Sequence, residues 1–313
     1  MLRAHSARYE VLDMQGEVCS CRARRRLRRP DASWPAFPVA GDLVECMRLE
    51  SGSAGRSGVI EAVQPRASEI ARTRSGKKHV VVANLDLLVV VVSVHRPALD
   101  RGLLDRLLAT AERTGIPARV CLHKIDLAAP GEFADIHAIY ERAGYCVLAT
   151  SAVTDAGVAP LRDALRGHVS AFMGASGTGK SHLISKLQPG LELRTGMVSE
   201  KTGHGRHTTT RVDLHRTDFG ALLADTPGVR EFSLWHLPPE RLRDLFPEFR
   251  EIQENCRFAT CTHDHEPQCA IKSAVSDGLV DPGRHRSYLA ILGDLRDGER
   301  AGAGRRKRGD RFA

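Results

Sequence analysis

The sequence predicts a multidomain α/β protein with a small N-terminal β-barrel, a central domain on a mostly parallel sheet, and a helical C-terminal domain. Three observations lead to this prediction. Short alternating strands separated by turn residues fill residues 1–78. Strands alternate with helices over residues 79–236. Residues 237–298 are helical and polar around a cysteine and histidine cluster, and we expect the basic tail at 299–313 to be disordered.

Length and composition fit this division. The chain has 313 residues, of which 42% are hydrophobic and 27% are charged, as is typical of folded proteins. The formal net charge of +8 favours a polyanionic partner such as nucleic acid. No apolar run approaches the ~20 residues that span a bilayer, and the first residues lack the apolar core of a secretory signal. We therefore expect a cytoplasmic protein with reduced thiols and no membrane partner.

The N-terminal strands are predicted in GEVCSCRARRR, GDLVECMRLE and SGVIEAVQPR, with a basic loop between the first two. A five-stranded OB barrel is the natural candidate, and an SH3-like barrel is the alternative, because periodicity does not distinguish them. A dense basic run favours contact with RNA phosphates over a merely solvated loop. It contains Arg22, Arg24, Arg25, Arg26, Arg28 and Arg29.

The central domain begins with HVVVANLDLLVVVVSVH, which is apolar on both faces and predicts a strand buried in a parallel sheet. The next segment, LDRGLLDRLLATAERTG, has helical spacing, and Gly115 is placed to end the helix. Four more strands are predicted in IPARVCLHKIDL, YCVLATSA, HVSAFMG and GALLADTPG. Helices are predicted in FADIHAIYERAG, VAPLRDALRG and KSHLISKLQ. Ligands of such sheets bind where the strands end.

A phosphate-loop motif, GASGTGKS, occupies residues 174–181 between a predicted strand and a predicted helix. Its glycines allow backbone N–H groups to face phosphate oxygens, and the helix N-terminus adds a favourable dipole. We expect Lys180 to reach the β- and γ-phosphates and Ser181 to bind Mg²⁺. The predicted phosphate-binding residues are Gly174, Ala175, Ser176, Gly177, Thr178, Gly179, Lys180, Ser181 and His182.

Two other strand ends carry signals for a guanine base. The segment HKID, residues 123–126, resembles the N-K-x-D motif of GTPases, with histidine where asparagine is usual. Asp126 can accept hydrogen bonds from guanine N1–H and the 2-amino group, which adenine does not offer as a pair. The segment TSAVT, residues 150–154, resembles the S-A loop that contacts guanine O6. The predicted base-binding residues are His123, Lys124, Asp126, Ser151 and Ala152.

A third pair of segments resembles GTPase switches. In DTPG, residues 225–228, we expect Asp225 to hold Mg²⁺ through water and the Gly228 N–H to contact the γ-phosphate. Upstream, GHGRHTTT offers a threonine that closes on Mg²⁺ when the γ-phosphate is present. The sequence leaves open which threonine does so. The candidates are Thr208, Thr209 and Thr210, and the predicted nucleotide-binding residues include Thr209 and Thr210.

Catalysis has two candidate residues, Lys180 and His207. Position 229 is a valine, which cannot orient the attacking water as a glutamine does in Ras-like enzymes. His207 is therefore our candidate for positioning the water, and a hydrogen bond that orders the loop is the equal alternative. We expect slow intrinsic turnover that a partner stimulates.

The order of these motifs is unusual, because the base motifs precede the phosphate loop and the switches. This is a circular permutation, which folding tolerates because domain termini often lie close together. The permuted order, with GRHTTT, DTPGVREF and CRFATCTHDHEPQCA, resembles the small ribosomal subunit biogenesis GTPases, the RsgA family (also called YjeQ or EngC). The resemblance extends from about residue 10 to residue 290. His123, Ala175, Thr178 and His182 depart from the family pattern.

The resemblance implies an N-terminal OB barrel, a permuted GTPase domain and a C-terminal zinc domain. It implies hydrolysis of GTP to GDP and phosphate, with Mg²⁺, on the maturing small ribosomal subunit and its rRNA during late assembly and release. We expect a monomer. Two alternatives stay open: an ATP-dependent kinase, because of His123, and a non-catalytic nucleotide-responsive RNA-binding module, because of Val229.

A metal site is predicted by the spacing of cysteine and histidine in CRFATCTHDHEPQCA, residues 256–270. This segment offers three thiols and an imidazole, enough for a closed tetrahedral Zn²⁺ site with a structural role. His265 is a rival ligand, and the family pattern favours His263. A set of free thiols is the alternative. The predicted zinc ligands are Cys256, Cys261, His263 and Cys269, one zinc per chain.

Overall fold

Three sheets and a helical C-terminal region make up the part of the chain that the computed structural model describes. This part comprises residues 1–5, 8–28, 37–49, 56–74, 77–191, 212–225, 234 and 237–309. None of its helices is long and apolar enough to cross a membrane.

The first sheet has five short strands in the order β1-β2-β3-β5-β4. They are β1 (Arg3–His5), β2 (Arg8–Leu12), β3 (Val18–Ala23), β4 (Val44–Leu49) and β5 (Ser57–Val63). Alternate residues of β3 are buried, as the period of a half-buried strand requires. Within the described residues no ladder joins β1 to β4, so closure into an OB barrel stays a prediction.

The apolar run that we predicted as one buried strand is divided into two. Strand β7 (Lys77–Ala83) pairs with β6 (Glu69–Arg74) in a two-stranded antiparallel sheet. Only β8 (Leu87–Ser93) enters the parallel sheet. The break falls at Asn84, whose φ of 52° ends the extended backbone. The predicted boundary between residues 78 and 79 therefore lies inside β7.

The second sheet has six strands in the order β10-β9-β8-β11-β13-β12, all parallel except β12. These are β9 (Ala118–His123), β10 (Cys146–Thr150), β11 (Val169–Met173), β12 (Leu214–Arg216) and β13 (Leu222–Asp225). Every residue of β8 is buried, because helices cover both faces of the sheet. The predicted strands β9, β10, β11 and β13 are confirmed, whereas β12 was not predicted.

The four helices predicted for this domain are also confirmed. They are α1 (Arg101–Thr114), α2 (Ala134–Arg142), α3 (Val158–Leu165) and α4 (Lys180–Leu187). Gly115 ends α1 as expected, in a left-handed conformation with a φ of 69°. Helices α1 and α2 contribute to the core on one face of the sheet, and α3 and α4 contribute to the core on the other.

The C-terminal region contains three 3₁₀ helices and two α-helices, α5 (Ala270–Ser276) and α6 (Pro282–Gly309). Its core stacks Phe246 on Phe249 and sets both against Tyr288, with ring centroids 5.2 Å apart in each pair. We predicted a disordered tail from residue 299, but α6 continues to Gly309. Arginine is the commonest residue from 299 to 309, and together with alanine, lysine and glutamate, which also have high helix propensity, it outnumbers the glycines at 302, 304 and 309.

Candidate nucleotide site and metal centre

One edge of the parallel sheet collects the predicted nucleotide motifs. Strands β8, β9, β10, β11 and β13 run in the same direction, so their carboxyl ends share that edge. In the register, His123 lies opposite Ser93 on one side and Thr150 on the other. The edge therefore brings together the segments at 123–126, 150–154 and 174–181, which are far apart in sequence.

The phosphate loop connects β11 to α4. Gly174 begins it, and a Cβ there would lie 2.1 Å from the carbonyl oxygen of Val91, so only glycine fits. The Lys180 ammonium donates to the carbonyls of Gly174 and Ala175, both at 2.8 Å. Lys180 thus spans the loop from its helix end to its strand end, which places the cation where a bound phosphate needs it.

The remaining residues of the loop differ in exposure. Thr178 is buried and donates its hydroxyl hydrogen to the Ala175 carbonyl at 3.0 Å, which tightens the turn. Ser176, Gly177 and His182 are exposed, whereas Ser181, the second residue of α4, is half-buried. The Ser181 hydroxyl therefore belongs to the first turn of the helix, as Mg²⁺ binding in a phosphate loop requires.

His123 is buried between the base loops and the phosphate loop, with 1% exposure. Its Nδ1 lies 2.8 Å from the Thr150 hydroxyl. Its other edge abuts Gly179, where a Cβ would lie 2.7 Å from Cδ2 and 2.9 Å from Nε2. Burial, followed by the Lys124 charge, lowers the pKa of His123, which favours the neutral imidazole. The histidine thus joins two strand ends to the phosphate loop.

Lys124 makes a second connection between the same loops. Its backbone is left-handed, with a φ of 62°. Its ammonium donates to the carbonyl of Gly177 at 2.6 Å and to that of Arg96 at 2.5 Å. The base loop is therefore connected both to the phosphate loop and to the loop that follows β8.

Asp126 is exposed at the same edge and is oriented by the neighbouring loop. The Ser151 hydroxyl donates to Asp126 Oδ1 at 2.5 Å and accepts from the N–H groups of Val153 and Thr154 at 3.1 Å. Ser151 and Ala152 are both buried. The carboxylate thus stands at the solvent side of a fixed turn, where it can accept hydrogen bonds from a ligand.

The switch residues are described only in part. Asp225 is the last residue of β13, and its backbone lies beside Phe172 of β11. This places position 225 next to the phosphate loop. The other predicted switch and catalytic residues lie outside the described residues, namely His207, Thr208, Thr209, Thr210 and Gly228.

The predicted zinc ligands converge in the C-terminal region. Ligand atoms of Cys256, Cys261, His263 and Cys269 all lie within 4.8 Å of one another. His263 Nδ1 is 3.6 Å from Cys256 Sγ and 3.4 Å from Cys269 Sγ. Sulfur and nitrogen ligands of a tetrahedral zinc ion lie about 3.6 Å apart, given its usual bond lengths. The four side chains therefore fit such an ion, with no further ligand needed.

Burial governs the electrostatics of this centre. Burial, with a smaller effect of Arg243, lowers the pKa of His263 to about 4, so the imidazole is neutral near pH 7, as a metal ligand must be. Burial raises the pKa of the Cys261 thiol to about 12 in the absence of a cation. The rival ligand His265 is 78% exposed in its side chain and pairs with Asp264 instead.

Two residues at the nucleotide edge had no role predicted from the sequence, Thr150 and Arg96. Thr150 is the first residue of the TSAVT segment, and its position as the last residue of β10 could have indicated a role. Arg96 contributes only a backbone carbonyl, and no sequence pattern marks such a contact.

Comparison with known proteins agrees with this geometry. The family model described as RsgA GTPase matches residues 63–235. A small ribosomal subunit biogenesis GTPase RsgA from Caldanaerobacter subterraneus subsp. tengcongensis is 36% identical over 300 residues, which is 96% of this chain and 96% of that protein. The chain belongs to the RsgA GTPase family. A second RsgA protein, from Gemmatimonas aurantiaca, is 40% identical over 92% of this chain and 94% of that protein.

Two solved structures extend the comparison to the fold. YjeQ from Thermotoga maritima has a TM-score of 0.76 and 30% identity, over 94% of this chain and 96% of that one. YloQ, described as a circularly permuted GTPase, has a TM-score of 0.73 and 27% identity, over 95% of this chain and 93% of that one. The permuted order of motifs, predicted from the sequence, is thereby confirmed.

Proposed function

We propose that this RsgA-family chain hydrolyses GTP to GDP and phosphate while bound to the maturing small ribosomal subunit, and that it acts in late assembly and release of that subunit. The observation that carries the proposal is the connection between the base loop and the phosphate loop through Lys124 and Gly177. A loop that binds the guanine base and a loop that binds the phosphates, held together in this way, form one site for a guanine nucleotide. The relatives named above are small ribosomal subunit biogenesis GTPases.

The roles of the residues follow from their positions. Lys180 neutralises the β- and γ-phosphates, and Asp126 accepts from the guanine edge while Ser151 fixes its carboxylate. The phosphate-loop N–H groups bind phosphate oxygens, and Ala152 presents its backbone to guanine O6. Ser181 and, through water, Asp225 would hold Mg²⁺, which would supply charge neutralisation to the transferring phosphoryl group. His207 remains our candidate for positioning the water.

The two flanking regions have separate roles in this proposal. The C-terminal cluster binds one Zn²⁺, whose role is structural because four protein ligands leave no open position. The N-terminal sheet closes as an OB barrel, and the Gly41 N–H donates to the Met1 carbonyl at 2.9 Å, beside the start of β4. Arg22, Arg24 and Arg25 are exposed on this part, where Arg24 pairs with Glu61 at 2.5 Å, and we infer that this basic surface contacts rRNA phosphates. We further propose a cytoplasmic monomer.

The test measures phosphate release from GTP by the full chain, with and without small ribosomal subunits. The expected result is slow release alone and faster release with subunits, with GTP competing far better than ATP. Equal competition by ATP would favour a kinase. Tight nucleotide binding without any phosphate release, with or without subunits, would favour a binding module.

A further inference from the structure

Helix α1 lies between the nucleotide edge and the C-terminal region. The loop that leads into it, residues 94–100, contacts the nucleotide site at two points. The Arg96 carbonyl accepts from the Lys124 ammonium at 2.5 Å, and Pro97 Cδ would lie 3.6 Å from a Cβ on Gly177. The Ser93 hydroxyl also donates to the Pro97 carbonyl at 2.7 Å, which fixes this loop to the end of β8.

A buried ion network joins α1 to the C-terminal region. Arg284 of α6 is only 1% exposed. Its guanidinium donates to Asp105 of α1 at 2.8 Å and, through two nitrogens, to Glu248 at 2.7 and 2.8 Å. The Tyr140 hydroxyl of α2 donates to the same Asp105 oxygen at 2.7 Å. We call Asp105, Tyr140, Glu248 and Arg284 the buried clamp.

The surroundings of the buried clamp leave it little freedom. The Arg284 guanidinium carbon lies 4.6 Å from the centre of the Phe246 ring, a cation–π distance. Desolvation opposes the charge of Arg284, but the charges of Asp105 and Glu248 raise its pKa well above the usual value, so the cation persists. Breaking a buried pair by removing one partner leaves an uncompensated buried charge, which is strongly unfavourable.

Two further ion pairs, less buried than the clamp, extend the contact to the ends of α1. Arg101, the first residue of α1, pairs with Asp281, which directly precedes α6. The fit is close, because a Cβ on Gly283 would lie 2.6 Å from the Arg101 guanidinium. At the opposite end of α1, Glu112 pairs with Arg250 at 2.5 Å. The C-terminal region therefore holds both ends of α1, and only the first end adjoins the nucleotide site.

We propose that Arg284 of the buried clamp and Arg101 in its pair with Asp281 are positioning residues for the nucleotide site. Together they hold the N-terminal half of α1, and with it the loop at 94–100, so that the Arg96 carbonyl supports Lys124 between the base loop and the phosphate loop. Packing of the C-terminal region on α1 is then coupled to the affinity of the site for nucleotide. Coupling of this kind is reciprocal, so a bound nucleotide also stabilises the docked arrangement. The inference rests on the proposed guanine-nucleotide site.

The test compares variants at the two ends of α1 in the full-length chain. Asp105→Asn removes the Asp105 charge from the buried clamp and leaves Arg284 paired with Glu248 alone, and Arg101→Gln removes the half-buried pair at the same end. Glu112→Gln is the matched control at the far end. We measure the dissociation constant of a fluorescent GDP analogue, the thermal midpoint and the zinc content of each. The first two variants should bind GDP about fivefold more weakly or worse, whereas Glu112→Gln should stay within about twofold.

Amide hydrogen exchange in α6 supplies the readout that a merely structural role does not move. Saturating GDP should slow exchange there in the parent chain and in Glu112→Gln, but not in Arg101→Gln. Parental affinity in folded Arg101→Gln and Asp105→Asn overturns the inference, as does an equal loss in all three variants. If Asp105→Asn does not fold, Arg101→Gln decides alone. A parent chain that fails to bind GDP refutes the proposed function instead.

Discussion

The metal centre and the nucleotide edge are built in opposite ways. The four predicted metal ligands fall within residues 256–269, and three of them are buried. The nucleotide edge draws its residues from five strand ends between positions 93 and 225, and Asp126, Ser176 and Gly177 are exposed. A site whose ligand stays bound as long as the domain is folded can be closed to solvent. A site that exchanges its ligand must keep a solvent-facing side.

This contrast separates the effects of substitution. At the metal centre, a lost ligand should remove folding free energy, because metal affinity there is part of the stability of the domain. At the nucleotide edge, a lost side chain should remove binding or turnover and leave the fold intact, because β8 and its neighbours are held by the sheet core. The four predictions below test this separation.

The largest effect is expected for Lys180→Ala. This variant should lose GTP hydrolysis by at least about 100-fold, because the phosphate charge loses its principal cation. Phosphate release measures the change, and an unchanged thermal midpoint would show that only function is lost. The control is Lys186→Ala on the same helix, whose ammonium pairs with Asp155 instead. Parental turnover in a pure Lys180→Ala preparation would refute the assignment of the phosphate loop.

Cys261→Ser should lose stability, whereas Lys180→Ala should lose activity and keep its thermal midpoint. Elemental analysis should find one Zn²⁺ per parent chain and none in the variant, with a lower thermal midpoint for the C-terminal region. The control is His265→Ala in the same loop, which should keep the metal because its side chain is exposed and outside the cluster. A folded parent chain that never contains zinc contradicts the structural role.

The same contrast explains what the sequence could and could not predict. The four clustered Cys and His residues are close together in the chain, and the parallel strands have strong apolar runs, so the cluster and the strands were both predictable. The division at Asn84 was not, because it depends on the pairing of β7 with β6. The partners of His123 depend on strand register, which brings in Thr150 from 27 residues away. The pair of Arg284 with Asp105, 179 residues apart, depends on how α6 packs on α1.

Asp126→Asn should weaken GTP binding by more than about tenfold, because a charged acceptor contributes roughly 1.5–3 kcal/mol. The new amide can still accept from Ser151, so the loop should keep its form. The variant should gain affinity for xanthine nucleotides, whose 2-oxo group can accept from the amide. Competition binding measures both changes, and Asp135→Asn on α2 is the control. Parental GTP affinity in Asp126→Asn would show that another group reads the base.

The smallest effect is expected at His123, because it acts between loops and is not exposed to a ligand. His123→Asn should keep GDP affinity within about threefold, since the amide can still reach the Thr150 hydroxyl. His123→Ala should lose more, because the Thr150 hydroxyl then keeps only the Cys121 thiol as a partner, at 3.1 Å, and a lost hydrogen bond of this kind costs about 1 kcal/mol. Titration with a fluorescent GDP analogue measures both. The double variant His123→Ala with Thr150→Val separates this account from direct base contact. If the histidine acts through Thr150, the two substitutions should be less than additive. If it contacts the base directly, they should add, and His123→Asn should weaken binding as much as His123→Ala.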